Sequence, residues 1–425
     1  MLKPLLSAQA ENLLDLEVHF RNALIQAGGR LFEPLLQKRA DQIDQAYSPK
    51  QGYQFIGRRT RGVDTLFGSV SLTRDYYLGP EAGHCPADAA LGLEGSATPA
   101  LARVACRAAA QQPFGAASRD LAEYGAIHVD ERQIQRWVGR ISPDIEPWLE
   151  GLPQPSAPTP IVYVSCDGTG TPMRKSELQG RKGKQPDGTA KTREVKLGAV
   201  FTQHRVDDEG HPVRDHESTT YVGSYRSADS FALLLRQEAR RRSVGSAEQV
   251  VFLSDGAAWA EAIGESCFAG AVSILDYYHA CERIHELAEA LGPEQSVKRA
   301  SRWKKLLLKD KIAAVIAEAQ TLYTETGLQI VIVDENLGFF RRHQQRMLYG
   351  TYRNNGWFIG SGVIEAGCRT VVGKRLKQSG MFWSEPGATG VLNFRTILLS
   401  QRFDQFWKHR ANAHAARNDA LSLAA

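Results

Sequence analysis

Three acids stand out by their surroundings. Asp167 follows the run IVYVSC in IVYVSCDGTG, Asp255 follows QVVFLS in QVVFLSDG, and Glu365 lies in GSGVIEAGC. In the first two, an apolar β-branched stretch delivers a carboxylate and then a glycine, so each acid is expected at a strand end where the chain turns. In the third, a glycine-rich turn is expected to open a helix that carries the acid. Separated carboxylates on rigid elements form a donor set for hard divalent cations, and paired cations of that kind serve phosphoryl chemistry. Each position also has a plainer use. An Asp-Gly after a strand is ordinarily a turn, and Glu365 near a helix N-terminus is favoured by the macrodipole alone. Asp276 ends another apolar run and competes with Asp255 as the second acid; His279 follows it by three residues.

The elements that must hold these side chains read as a mixed α/β domain after a proline-rich linker at 149–160, which carries Pro153, Pro155, Pro158 and Pro160. Strands are expected at 161–166, 194–203, 219–224, 249–254 and 271–275, with helices at 228–242 and after strand four. The order β-β-β-α-β-α-β is that of the ribonuclease H-like fold, a mixed five-stranded sheet flanked by helices. In it the first and fourth strands lie side by side, so Asp167 and Asp255 would be neighbours. The distance in sequence from Asp255 to Glu365 exceeds what a strand-to-helix connection needs. Residues 281–355 are therefore read as a helical insertion, dividing the catalytic domain into 161–280 and 356–425.

Upstream, residues 1–50 read as helical. Residues 51–95 contain a β-hairpin, with Thr65-Leu66 and Val70 to Leu72 flanking the turn Phe67-Gly68-Ser69, and then a loop. Residues 96–148 give three short helices, at 98–110, 116–124 and 130–141, with Thr98 and Pro99 opening the first. That spacing resembles a helix-turn-helix DNA-binding unit, whose last helix offers Arg132, Gln133, Gln135 and Arg136 to a groove; three-helix packing without DNA is the competing reading.

With 425 residues the chain is long enough for several domains. No apolar run is long enough to span a bilayer, and no cleavable leader is seen, so a cytosolic, nucleoid-associated protein with no membrane partner is expected. The net charge of +5 is small but unevenly placed. Residues 298–311 hold seven Lys or Arg against one acid, and 360–411 hold eight against three. The six cysteines are scattered singly, which argues against both a disulfide framework and a zinc knuckle. Trp259, Trp357 and Trp383 suit either core packing or stacking on an unpaired base.

The motifs CDGTG, RKGKQPDGTAKTREVKLGAVF, LSDGAAW, LDYYHACE, GSGVIEAGC and RLKQSGMFW, in that order, resemble the DDE transposases of the ISKra4 group of bacterial insertion sequences. The resemblance covers the whole chain and is densest from residue 161 onward. It implies a ribonuclease H-like catalytic domain that cleaves and transfers DNA strands at insertion-sequence ends, with Asp167, Asp255 and Glu365 as catalytic metal ligands. Two Mg²⁺ ions, replaceable by Mn²⁺, would be held with Asp167 bridging and Asp255 and Glu365 each on one ion. Asp276 to His279 matches the (C/D)xxH signature shared with Mutator-like transposases and is expected at the rim of the site as support. Lys182, Lys184, Arg369, Lys374, Arg375 and Lys377 are expected on double-stranded DNA, both element ends and target, with the protein a homodimer or higher oligomer on that DNA. Where the group often carries paired cysteines, YYLGPEAGHCPAD keeps only His84 and Cys85, so zinc is not expected. The competing functions are a nuclease or resolvase of the same fold, a non-catalytic transposase-derived DNA-binding protein, and a small-molecule metallohydrolase, which would need a His-rich site.

Overall fold

The computed structural model describes residues 12–49, 51–154, 158–183, 185 and 188–423, with side chains through residue 414. Contacts divide the chain into two compact units, Met1–Ile145 with Gln401–Ala425, and Glu146–Ser400. The last helix therefore belongs to the first unit, whereas the sequence reading assigned everything after residue 356 to the second. Among the described residues no helix is long and apolar enough to cross a membrane.

In the first unit, α1 (Leu13–Ala46) is capped by Asn12, whose side chain accepts from the Asp15 N–H. It packs on a hairpin of β1 (Gln54–Thr65) and β2 (Gly68–Leu78) through Leu36, Ala40, Val63, Val70 and Leu72. The hairpin is much longer than the few residues expected around the turn. Away from the turn most of β1 is exposed, so hydrophobic alternation in burial marks only the end nearer the turn. Three helices follow: α2 (Pro99–Gln111), α3 (Phe114–Gly125) and α4 (Glu131–Ile141). Ile134, Trp137, Val138 and Ile141 form the buried stripe of α4, with the Trp137 indole N–H donating to the Glu94 carbonyl.

The second unit is a mixed α/β layer structure around five strands: β3 (Thr159–Pro172), β4 (Thr192–Gln203), β5 (Thr220–Ser224), β6 (Ala247–Ser254) and β7 (Val272–Leu275). Their order across the sheet is β7-β6-β3-β4-β5. β3, β6 and β7 are mutually parallel, and β4 and β5 continue antiparallel from β3. Side chains alternate between two cores, as the period of two in a strand requires. Val162, Val164 and Cys166 face the layer of α5 (Ala228–Arg241) and α6 (Ala258–Cys267). Tyr163, Val251 and Leu253 face the other layer, which is built by α7 (Tyr277–Ala290), α8 (Ser296–Leu307), α9 (Ile312–Thr326) and α10 (Val331–His343). Those helices fill the stretch read as a helical insertion. After them come α11 (Gly362–Gly367), a π-helical segment Cys368–Gly373, α12 (Glu385–Leu399) and α13 (Phe403–Leu423).

Candidate active site

Asp167 does not end its strand. β3 runs five residues further, because β4 continues to pair with it as far as Thr192, opposite Pro172. What ends nearby is β6. Ser165 pairs with Leu253 in the parallel register, so two residues onward Asp167 comes abreast of Asp255, just past the last residue of β6. Both acids share the parity of Tyr163, Val251 and Leu253 and so point to the side covered by α7 and α10. The Asp167 carboxyl is held above its ordinary range first by burial and then by the charge of Asp255 beside it, against the Gly168 N–H (2.6 Å) and the Cys368 thiol (3.5 Å) that donate to it. Asp255 accepts from the Ala257 N–H at 2.9 Å, which turns the chain into α6.

Asp276 stands at the matching end of β7, and its N–H donates to the Ser254 carbonyl at 2.9 Å. It is fully buried and caps α7 by accepting the His279 N–H at 2.7 Å. The His279 Nδ1–H reaches back to the same oxygen at 3.0 Å, while the second Asp276 oxygen accepts the Ser361 N–H. Burial alone would raise this carboxyl; the donors from His279 and Ser361 outweigh it and hold Asp276 below the ordinary range. Its hydrogen bond in turn pushes His279 up to about 9, so the ring is a cation at neutral pH.

Glu365 is brought in by the segment after the insertion. Tyr277 N–H donates to the Ile359 carbonyl, and the Ser361 hydroxyl donates to Glu365 at 2.8 Å. Two glycines make the approach possible. A Cβ on Gly360 would come within 2.6 Å of the Tyr278 ring, and one on Gly367 within 2.8 Å of Tyr221 on the sheet. The π-helical segment that follows frees the Thr370 and Val371 carbonyls, and Arg395 on α12 donates to both. It also brings Cys368 to Asp167.

Ligand atoms of Asp276, His279 and Glu365 all lie within 4.8 Å of one another. Asp167 and Asp255 lie outside that group. Asp276 and His279, expected at the rim, are thus grouped with Glu365. The reason is the Ser361 bond, which ties the Glu365 turn to the α7 cap.

Other expected residues divide. Arg132 and Arg136 are exposed on α4, with Gln133 half-buried and accepting from Arg136 at 2.8 Å. Arg369, Lys374 and Lys377 are exposed, and Lys377 donates to the Thr169 hydroxyl at 2.5 Å, two residues beyond Asp167. Lys182 is exposed in the loop before β4; Lys184 lies outside the described residues. Arg375 is a correction. It is fully buried, over the Trp383 ring at 5.0 Å, because the turn after the π segment points it inward. Trp383 is likewise a core residue, its N–H bonded to the Leu376 carbonyl. Trp357 packs on the core, and Trp259 lies beneath the Lys196 ammonium at 5.6 Å.

Sequence reasoning missed a second layer behind Asp255. Arg346 donates to the Ser254 hydroxyl at 2.6 Å and pairs with Glu261 on α6, which also meets His343 Nδ1 at 2.7 Å. Burial first, then Arg346, Arg342 and Arg283, push His343 down to about 4, so it is neutral. These residues sit at unremarkable spacings, so no local signal marked them.

No protein-family model matches the chain, and no curated protein matches it. Among solved structures, the Drosophila P element transposase strand transfer complex is similar at 11% identity and a TM-score of 0.27, covering 73% of this chain and 80% of that chain. A TM-score at that level carries no argument about mechanism.

Proposed function

We propose that the chain is a metal-dependent DNA transposase of the DDE type, resembling the ISKra4 group, with a ribonuclease H-like catalytic unit. The observation that supports this most is the parallel register that sets Asp167 abreast of Asp255 where β6 ends, with the segment after Glu365 reaching Asp167 through Cys368. The strand order and directions of the sheet are those expected for that fold.

The donor chemistry suits Mg²⁺ or Mn²⁺. Asp167 is pushed toward protonation first by burial and then by the charge of Asp255, which a divalent cation would offset, and the donors are carboxylate oxygens. Asp167, Asp255 and Glu365 would hold the ions. When bound, such ions activate the attacking oxygen and stabilise the leaving one in an in-line displacement at phosphorus. Asp276 is assigned to support: it caps α7, orients the His279 ring and holds the Ser361 turn that carries Glu365. His279, protonated and oriented by Asp276, is a donor rather than a ligand, placed to hold a phosphate oxygen. Lys377, Arg369 and Lys374 line the exposed turn beyond and are assigned to the DNA backbone.

The test is a reaction of purified protein with labelled DNA flanking its gene, a target plasmid and Mg²⁺ or Mn²⁺. Asp167→Asn, Asp255→Asn and Glu365→Gln are each expected to reduce cleavage by about 1,000-fold, roughly 4 kcal/mol of transition-state stabilisation, while DNA binding persists. Wild-type cutting by D167N overturns the assignment. Cleavage that never gives joined product reassigns the protein as a nuclease of the same fold.

A further inference from the structure

Helix α1 buries one face and leaves the opposite one bare. The buried face carries Gly29, Leu36 and Ala40 against the hairpin. On the other side Leu13, Leu16, Phe20, Leu24, Leu31 and Leu35 are exposed, from 44% for Leu16 to 69% for Leu13. Their positions follow an eleven-residue rule. Leu13, Leu16 and Phe20 are followed at that interval by Leu24, Ala27 and Leu31, and Leu24 by Leu35. An eleven-residue repeat has about 3.67 residues per turn, so the stripe stays on one side of a nearly straight helix for its whole length. Apolar side chains scattered singly over a surface need no partner, but a continuous stripe of this kind does.

We infer that this stripe pairs with the same stripe of a second copy of the chain, the two α1 helices running antiparallel about a dyad at Leu24. Three observations select this occupant. First, the sequence is self-complementary about that point: Leu13 of one copy meets Leu35 of the other, Leu16 falls near Leu31, and the large Phe20 ring falls opposite the small Ala27 and Gly28. Second, charge is complementary in the same sense. Position 30 lies opposite position 18 about that dyad, so Arg30 of one copy falls beside Glu17 of the other. The acids of the C-terminal half are engaged elsewhere, Glu33 with the Ser71 N–H and Asp41 with Arg58. A parallel pair would set like charges together. Third, the exposed apolar side chains offer roughly 600 Å² per copy before flanking residues are added, close to the about 800 Å² per partner of a standard interface. The pairing does not depend on the catalytic reading.

The experiment is analytical ultracentrifugation of the full-length protein without DNA, from about 0.1 to 50 µM. The wild type is expected to be a dimer in the upper part of that range. Leu24→Glu, a change at an exposed site, is expected to weaken association at least 100-fold with unchanged circular dichroism and melting temperature. Direction is read by oxidative cross-linking: Leu13→Cys with Leu35→Cys in one chain gives inter-chain disulfides, and Leu13→Cys alone does not. A wild type that stays monomeric at 50 µM overturns the inference, as does a dimer that L24E leaves intact. A monomer in which residues 13–35 are protected from hydrogen exchange overturns it too, assigning the stripe to another part of the same chain.

Discussion

Replacing Asp276 by Asn tests the α7 cap that holds His279 and the Ser361 turn without removing a proposed metal ligand. Asp276 is fully buried and accepts the His279 N–H, the His279 ring and the Ser361 N–H. An asparagine has one acceptor oxygen in place of two, so its amide group must face a backbone N–H. A buried N–H left unpaired costs about 1–3 kcal/mol. The charge interaction is lost as well. His279 sits at about 9 against an ordinary 6.5, nominally about 3.4 kcal/mol; its side chain is 39% exposed, so screening reduces this to about 1–2 kcal/mol. D276N should therefore lose about 3 kcal/mol at pH 7 in metal-free buffer. The sign with pH follows from a raised basic group. The pair's contribution is fully present below about 6.5 and disappears as pH rises through about 9, so the gap between wild type and variant should narrow above pH 9. With two compact units, a single melting curve would mix events, so hydrogen exchange at the start of α7 is the appropriate measure. A histidine NMR titration gives the second readout, with His279 expected to fall to about 6.5 in D276N. Unchanged exchange, or a His279 that still titrates near 9, refutes the reasoning.

Three further outcomes follow from buried polar groups. Asp44 is raised to about 6, first by burial, and one of its oxygens has no partner. For an acid raised in this way stability is full below about 3.8 and falls as pH climbs to about 6, by up to about 3 kcal/mol; in Asp44→Asn that slope between pH 4 and 7 should vanish from a melting-temperature profile. Arg375→Ala should destabilise the second unit by about 3 kcal/mol in urea titration, since it empties a buried site over Trp383. The salt dependence of its DNA binding should match the wild type, whereas K374A and K377A should each lower that slope by about 1. Arg346→Leu removes the guanidinium paired with Glu261 and bonded to the Ser254 hydroxyl, a loss of about 3 kcal/mol by thermal shift, and His343 should titrate above its value of about 4 once that neighbouring cation is gone.

Most of the second unit's architecture was legible along the chain. Four of the five apolar runs gave strands within about two residues, the first runs on six residues past its expected end, and in the first unit the cap of α2 follows from Thr98, because strand periodicity and capping are local physics. The β-like stretch 53–78 was legible, but its continuous pairing from Gln54 opposite Leu78 to the turn was not, since cross-strand register is not a local signal. Nor was the inward turn of Arg375, which depends on a π-helical segment with no compositional signature.

The candidate site divides along the same line. The sequence by itself determined which residue types are present and that Asp255 and Asp276 each follow a strand. Only the tertiary structure decided which acids meet. Parallel pairing of β3 with β6 set Asp167 abreast of Asp255, and Gly360 let the Ser361 turn close onto Asp276. That turn carried Glu365 to the α7 cap, beside His279. Strand register and loop closure are long-range contacts, fixed by the packing of segments that lie far apart in the chain, and no local pattern encodes them.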